Sequence, residues 1–399
     1  MADFDQVRAE FPVLREKVFL DAACVSVLPQ RAGQAINEFV AELVDPSARD
    51  ATEHHIWMDE CREAAMPQLA TLLDCPRDRL AYVESTTHGL NIAAQAIPWS
   101  AGDEVVMCNL EFLQVAIPFV KLAEQAGVKP VFVEHANGIA DVESFAAAVT
   151  PRTRAIVVSS TQWTSGYRID LAGLAELARS VNAWLVVDGI QQAGAIPLDL
   201  EGVDFMVAGG HKWLNSPMGT GILYLSQRVL EELEPANWGY FGLEPPQGGW
   251  GNYFATPDIT PDRQYSFVRT AKRFEIGGTS NYPGAIALGK SQEIVNELGI
   301  DTVATHIWDL GDRLIEGLGK LDVQLETPFD RSCRAGIISF TTGSRERDRE
   351  CLDFLLDRRI YVAHRYTANT GGVRVSVHYF NNQDDIDQLL DATGSFLSK

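Results

Sequence analysis

The chain has 399 residues, 46% of them hydrophobic and 22% charged, ordinary proportions for a globular protein, and its length predicts two or three domain-sized units. With 54 acidic against 33 basic residues the formal net charge is −21, which argues against nucleic acid, whose binders need a basic stripe, and against anionic lipid surfaces; any bound anion must be held by a local positive site. The six cysteines show no C-x-x-C or metal-ligand spacing, the start Met-Ala-Asp-Phe-Asp lacks a signal-peptide pattern, and no apolar stretch reaches membrane-spanning length, so the expectation is a cytoplasmic protein with reduced thiols, no metal and no membrane contact.

In chain order, a short strand-like Val18-Phe19-Leu20 is followed by turn residues and a helix from about Arg31 to Leu43. Ser85-Thr86-Thr87-His88-Gly89 precedes a helix-like run from Leu90 to Ile97; hydroxyls there serve equally as N-caps or as an anion site at a helix N-terminus. Then come candidate strands Glu104 to Cys108, Pro130 to Val133, Ala155 to Ser159, Trp184 to Asp188, Val203 to Ala208 and Gly221 to Leu225. Helix-like stretches, among them Phe119 to Ala126, Val142 to Ala148 and Leu171 to Val181, separate them. Apolar strands without alternation, separated by helices, predict an α/β fold with a mainly parallel sheet flanked by helices. Ligands in such sheets bind at the carboxyl ends of the strands.

The segment from Asn237 to Phe274 is rich in Gly, Pro and aromatics and has little periodicity. Beyond it the pattern predicts helices from Pro283 to Leu298 and from Thr302 to Lys320. Strands Val323 to Glu326, Gly336 to Thr341 and Val373 to His378 and a last helix from Asp384 to Phe396 follow. Residues 31–280 are therefore read as a large domain and 281–399 as a smaller α+β domain, which the N-terminal segment 1–30 joins.

Chemistry concentrates where two of the apolar strands end. Trp184-Leu185-Val186-Val187 stops at Asp188, with Gln191 three residues on, and Phe205-Met206-Val207-Ala208 runs through Gly209-Gly210 into His211-Lys212. A carboxylate at one strand end and a lysine just past the next are the pair a pyridoxal 5′-phosphate enzyme needs. The lysine forms the Schiff base, and the carboxylate keeps the pyridine nitrogen protonated.

Asp188-Gly-Ile-Gln191, Gly210-His211-Lys212-Trp213, Ser-Thr-Thr-His-Gly-Leu-Asn at 85–91 and Phe274-Glu-Ile-Gly-Gly-Thr279 together resemble the class V aminotransferase family of fold-type I pyridoxal phosphate enzymes. The nearest subgroup is the one of cysteine desulfurases, selenocysteine lyases and isopenicillin N epimerase-like proteins, and the likeness runs from about Phe19 to the C-terminal helix. The resemblance implies that Lys212 holds the cofactor and moves the substrate α-proton, that Asp188 pairs with the pyridinium nitrogen, and that Gln191 bonds the phenolic oxygen. It places Thr86, Thr87 and His211 on the phosphate and Phe112 on the cofactor face. It assigns Thr279 to the phosphate of a partner subunit, hence a homodimer, and Arg374 to the α-carboxylate of an amino-acid substrate, a task suited to guanidinium geometry.

Departures from the family pattern narrow the reaction. The stretch that carries the desulfurases' sulfur-accepting cysteine is here Tyr361-Val-Ala-His364-Arg365-Tyr366-Thr-Ala-Asn-Thr, without a cysteine; Cys333 and Cys351 lie elsewhere. Trp163 replaces a polar asparagine, Gly209 stands where many relatives have a serine, and Glu275-Ile-Gly-Gly-Thr279 carries one residue more than usual. The expectation is a lyase catalysing β-elimination, with C–S cleavage of a cysteine-type substrate and no persulfide cysteine. Trp163, His364 and Arg365 are the expected substrate contacts. The alternatives are an epimerase or racemase, for which Tyr366 is a candidate second proton donor, an aminotransferase, and a non-catalytic scaffold that only binds the cofactor.

Overall fold

The computed structural model describes residues 3–257, 259–275 and 280–399. A two-residue strand, β1 (Val18–Phe19), opens the chain's sheet structure. It is followed by β2 (Leu80–Val83), β3 (Glu104–Cys108), β4 (Lys129–Val133), β5 (Thr153–Ser159), β6 (Trp184–Asp188), β7 (Phe205–Gly209) and β8 (Gly221–Leu225). The last seven of these form one sheet in the order β2-β8-β7-β6-β5-β3-β4. Pairings from β7 through β6, β5 and β3 to β4 are parallel, and β8 runs antiparallel to both β7 and β2.

Why these runs lack alternation is visible in the packing. Val106, Ile156, Leu185, Val187 and Met206 enter the core on one face, while Val105, Val157, Val186, Phe205 and Val207 enter a second core on the other. A strand covered on both sides has no polar face to show in sequence. The helices that cover the sheet begin at side-chain caps: Ser85 accepts from His88 N–H ahead of Thr86–Ala96, and Asp170 accepts from Gly173 N–H ahead of Leu171–Ser180. The helix Leu113–Ala126 stops at Gly127, whose φ of 69° is open to glycine at little cost.

Further strands are β9 (Gln324–Leu325), β10 (Ile337–Thr341), β11 (Ile360–Tyr361), β12 (Ala363–Thr367) and β13 (Thr370–Ser376). An antiparallel sheet of order β12-β13-β10-β9 covers a third core containing Ile338, Phe340, Val373 and Val375. β1 pairs in parallel with β11, and Asp21 bridges Ser376, so the N-terminal segment is bound to this sheet. The helix Tyr282–Leu298, with which the smaller domain was expected to open, packs on the helices Gln30–Val44 and Met66–Leu72.

Among the elements that the sequence pattern does not place, two strands show why. β2 is only Leu-Ala-Tyr-Val and is defined by its antiparallel neighbour. β12 is largely polar, and it forms because Ala368 and Asn369, both at positive φ (45° and 63°), turn the chain tightly onto β13. Segment 237–274 contains the short helix Gly249–Phe254 and two 3₁₀ turns, Tyr240–Gly242 and Ala271–Phe274. No helix among the described residues is long and apolar enough to cross a membrane.

Candidate active site

The carboxyl ends of β5, β6 and β7 are in register, with Ser159 beside Asp188 and Asp188 beside Val207. They open onto a cavity of about 300 Å³, within the size range of small-molecule sites. Its walls include Ser85, Thr86, Thr87, Phe112, Trp163, Asp188, Gln191, His211, Lys212, Arg365 and Arg374. Residues from six sequence regions, one of them more than 280 positions from another, thus line a single space.

Asp188 is 4% exposed. Its Oδ1 accepts from Ile190 N–H at 2.9 Å, and no donor among the described residues bonds Oδ2. Burial pushes its acid up to about 6 despite the attraction of Lys212. Lys212 follows β7 and is pushed down to about 8, chiefly by burial, with Asp188 opposing and Arg374 adding to the shift. Its Nζ lies 5.9 Å from the centre of the Phe112 ring. The amine is therefore partly neutral near physiological pH, which both nucleophilic attack and proton transfer require.

At one end of the cavity Thr86 and Thr87 occupy the first turn of their helix, where free N–H groups and the helix dipole favour an anion. Thr86 Oγ1 accepts from Gly209 N–H at 2.9 Å. Gly209 leaves room here: a Cβ on it would lie 3.2 Å from Thr86 Oγ1 and 3.3 Å from His211 Nδ1. Burial lowers the His211 imidazole below its ordinary value, so His211 offers a neutral ring.

Gln191 is anchored from both sides. Its Nε2 donates to Ala23 O at 3.2 Å, and its Oε1 accepts from Trp213 Nε1 at 2.8 Å. One amide hydrogen on Nε2 remains free of these bonds. Trp213 is fully buried, and its carbonyl meets Nε2 of His378, whose pKa burial drives down to about 3, fixing a neutral imidazole. The Lys212 loop thus rests on a rigid buried base.

Arg374, on β13, reaches the cavity from the smaller sheet and is 2% exposed. Nη1 donates to Trp163 O at 2.9 Å and Nη2 to Asp21 Oδ1 at 3.1 Å, while Nε is buried without a partner. The Asp21 pairing was not foreseen, because Asp21 and Arg374 are 353 positions apart. Arg365 also lines the cavity and makes no ion pair among the described residues; its Nη2 donates to Cys24 Sγ at 3.5 Å. Cys24 and Ala23, both in the wall, carried no sequence signal.

Two expected residues fall elsewhere. His364 alternates with Arg365 along β12, so its ring is turned from the cavity and sits edge-on to Tyr366 at 5.1 Å. Tyr366 donates its hydroxyl to Asp348 rather than facing Lys212. His364, expected at the substrate, is thus not part of the cavity wall, and the hydroxyl of Tyr366, a candidate second proton donor, is engaged by Asp348. Thr279 lies outside the described residues.

The residues fit pyridoxal 5′-phosphate. A buried carboxylate with an unpaired oxygen suits a pyridinium N–H, and a side-chain-free cradle at Gly209 beside a helix N-terminus suits a phosphate. A partly neutral lysine lines the same cavity.

Comparison with known proteins agrees. The family model described as aminotransferase class-V matches residues 18–389. A probable cysteine desulfurase of Methanothermobacter thermautotrophicus is 28% identical, the alignment covering 98% of this chain and 96% of the relative. A cysteine desulfurase of Salmonella dublin is also 28% identical, over 85% of this chain and 82% of its own. Among solved structures, the apo cysteine desulfurase of Thermococcus onnurineus superposes with a TM-score of 0.84 at 23% identity, covering 100% of this chain and 99% of that one. A lysine-to-alanine variant of C-DES, with glycine covalently linked to its pyridoxal phosphate, gives 0.86 at 23% identity over 99% of each chain. From a family match spanning nearly the whole sequence, and a site built as that family's cofactor requires, the chain belongs to the class V aminotransferase family of pyridoxal phosphate enzymes.

Proposed function

We propose that this protein is a pyridoxal phosphate-dependent lyase that removes the α-proton of a cysteine-type amino acid and cleaves its C–S bond by β-elimination, releasing the sulfur as a thiol and, after water adds, pyruvate and ammonia. The observation that carries the reading is the meeting of Lys212 and Asp188 in one cavity that also contains a helix N-terminus and the Arg374 guanidinium. Bound pyridoxal phosphate supplies an electron sink for the pair left on the substrate α-carbon. Lys212 anchors the cofactor, then takes the α-proton at Nζ and gives it to the departing sulfur. Asp188 holds a proton on the pyridine nitrogen. Thr86, Thr87 and His211 bind the phosphate, Gln191 directs its free amide hydrogen to the phenolic oxygen, and Phe112 covers one cofactor face. Arg374 binds the α-carboxylate, with Trp163 and Arg365 bounding the side chain. The curated relatives are named as desulfurases, which supports a sulfur-bearing substrate. The tight β12–β13 hairpin lacks a cysteine, which supports release of the sulfur without a persulfide on that element.

A homodimer belongs to the same reading. Leu113, Ile117 and Val120 stand 71%, 53% and 40% exposed at i, i+4 and i+7 of one helix, directly after Phe112 at the cavity, an apolar stripe of the kind a subunit partner covers. Six unpaired thiols suit the reducing cytoplasm.

The test is a visible spectrum of the purified protein before and after borohydride, with Lys212→Ala as control. A band bleached by reduction, with a phosphopyridoxyl group mapped to Lys212, is expected; a protein that stays colourless when the cofactor is added refutes the catalytic reading. Pyruvate release from cysteine conjugates separates elimination from epimerisation and transamination. Absence of α-proton exchange in heavy water across a panel of amino acids would favour a non-catalytic scaffold.

A further inference from the structure

Glu111 is a buried carboxylate to which the proposed reaction gives no task. It lies between the end of β3 and Phe112 and is 8% exposed. Among the described residues, the hydrogen bonds of its side chain all come from the end of β5 and the turn that follows it. Ser159 N–H reaches Oε1 at 3.0 Å and Oε2 at 3.1 Å, the Ser159 hydroxyl donates to Oε2, and Gln162 Nε2 reaches Oε1 at 3.3 Å. No cation among the described residues pairs with it. A second tie joins the same two segments, Trp163 Nε1 donating to Leu110 O at 3.2 Å. The consequence is geometric. Phe112 follows Glu111 and Trp163 follows Gln162, and their rings meet edge-to-face in the cavity wall, centroids 5.3 Å apart at 74°.

We infer that Glu111 is a positioning residue that clamps the β3 and β5 exits together, so that Phe112 and Trp163 stand as one aromatic wall over the cofactor face and the substrate side chain. The inference rests on the reading of this cavity as the cofactor and substrate site. Burial pushes the Glu111 acid up to about 7 against the pull of the Ser159 and Gln162 bonds; its ionised form suits the task because a carboxylate only accepts, and here every neighbour donates. Glutamine would keep the shape but present an N–H₂ to one of the Ser159 donors, and alanine would remove the tie and leave Ser159 N–H unpaired in the interior.

The experiment compares holoenzyme with Glu111→Gln and Glu111→Ala. It reads the near-ultraviolet circular dichroism of the ring pair (assigned with Trp163→Phe), the cofactor's visible dichroism, and KM against kcat. Expected for Glu111→Ala is loss of at least half of the ring-pair signal and of the visible dichroism. KM should rise about tenfold or more with kcat within about threefold, since the wall positions substrate without touching the proton in transit. Glu111→Gln should show a smaller change of the same sign. Wild-type dichroism and KM in both variants would overturn the inference, and so would an equal loss in kcat with KM unchanged. Should Glu111→Ala fail to fold, the isosteric glutamine variant decides by the same criteria. If the wild-type protein itself takes up no cofactor, the proposed function fails, while the ring-pair signal still tests the clamp.

Discussion

Replacing Asp188 by Asn should make the apoprotein more stable and the enzyme much slower. The carboxylate is buried, one oxygen is unbonded, and its acid is raised from 3.8 to about 6, burial being the largest cause and the attraction of Lys212 already included. A carboxyl group whose native pKa exceeds its unfolded pKa destabilises the fold when ionised. The penalty is absent below the unfolded value near 4, grows as pH rises, and is complete above the native value near 6. A shift of about two units corresponds to about 3 kcal/mol at pH 7 and roughly half of that at pH 5. Asparagine keeps an oxygen for Ile190 N–H and removes the charge. Denaturant midpoints of wild-type and Asp188→Asn apoprotein at pH 7 and pH 5 would measure the gain. Activity should fall by about a hundredfold or more, the scale of losing one preorganised electrostatic partner. An Asn variant that is less stable at pH 7, or a gain that does not shrink at pH 5, would refute the view that this carboxylate is held at a cost for its pyridinium partner.

Two further outcomes follow from the same geometry. With Lys212 pushed down to about 8, roughly a tenth of the amine is neutral at pH 7, against ~3 in 10,000 for an ordinary lysine. Only the neutral amine attacks an aldehyde, so cofactor uptake by apoprotein should quicken about tenfold from pH 7 and level off above about pH 9; a stopped-flow rate still climbing in proportion to hydroxide at pH 10 would contradict burial as the cause. Leu113→Glu with Ile117→Glu should halve the mass measured by light scattering, because charge on the exposed stripe opposes burial against a partner; a mass equal to wild type would place the subunit contact elsewhere.

What the sequence determined by itself is the frame and the two chemical poles. The uninterrupted apolar runs ending at Asp188 and Gly209 can be satisfied only by strands buried on both faces, and parallel strands connected by helices put their carboxyl ends, hence Asp188 and Lys212, along one edge. The Ser-Thr-Thr motif marked a helix start for the same local reason, since a hydroxyl before an apolar run caps free N–H groups. Local pattern also reached its limit in short or polar elements: β2 and β12 exist through their neighbours, and their residues alone do not announce strands. Only the tertiary structure decided which side chains complete the site. It pairs Arg374 with Asp21, brings Cys24 beside Arg365, turns His364 away from the cavity, and ties Glu111 to Ser159 and Gln162 next to the Phe112–Trp163 ring pair. These contacts join segments tens to hundreds of positions apart. They depend on how the N-terminal segment and the smaller sheet pack over the strand ends, and nothing in the period of a single helix or strand encodes that packing.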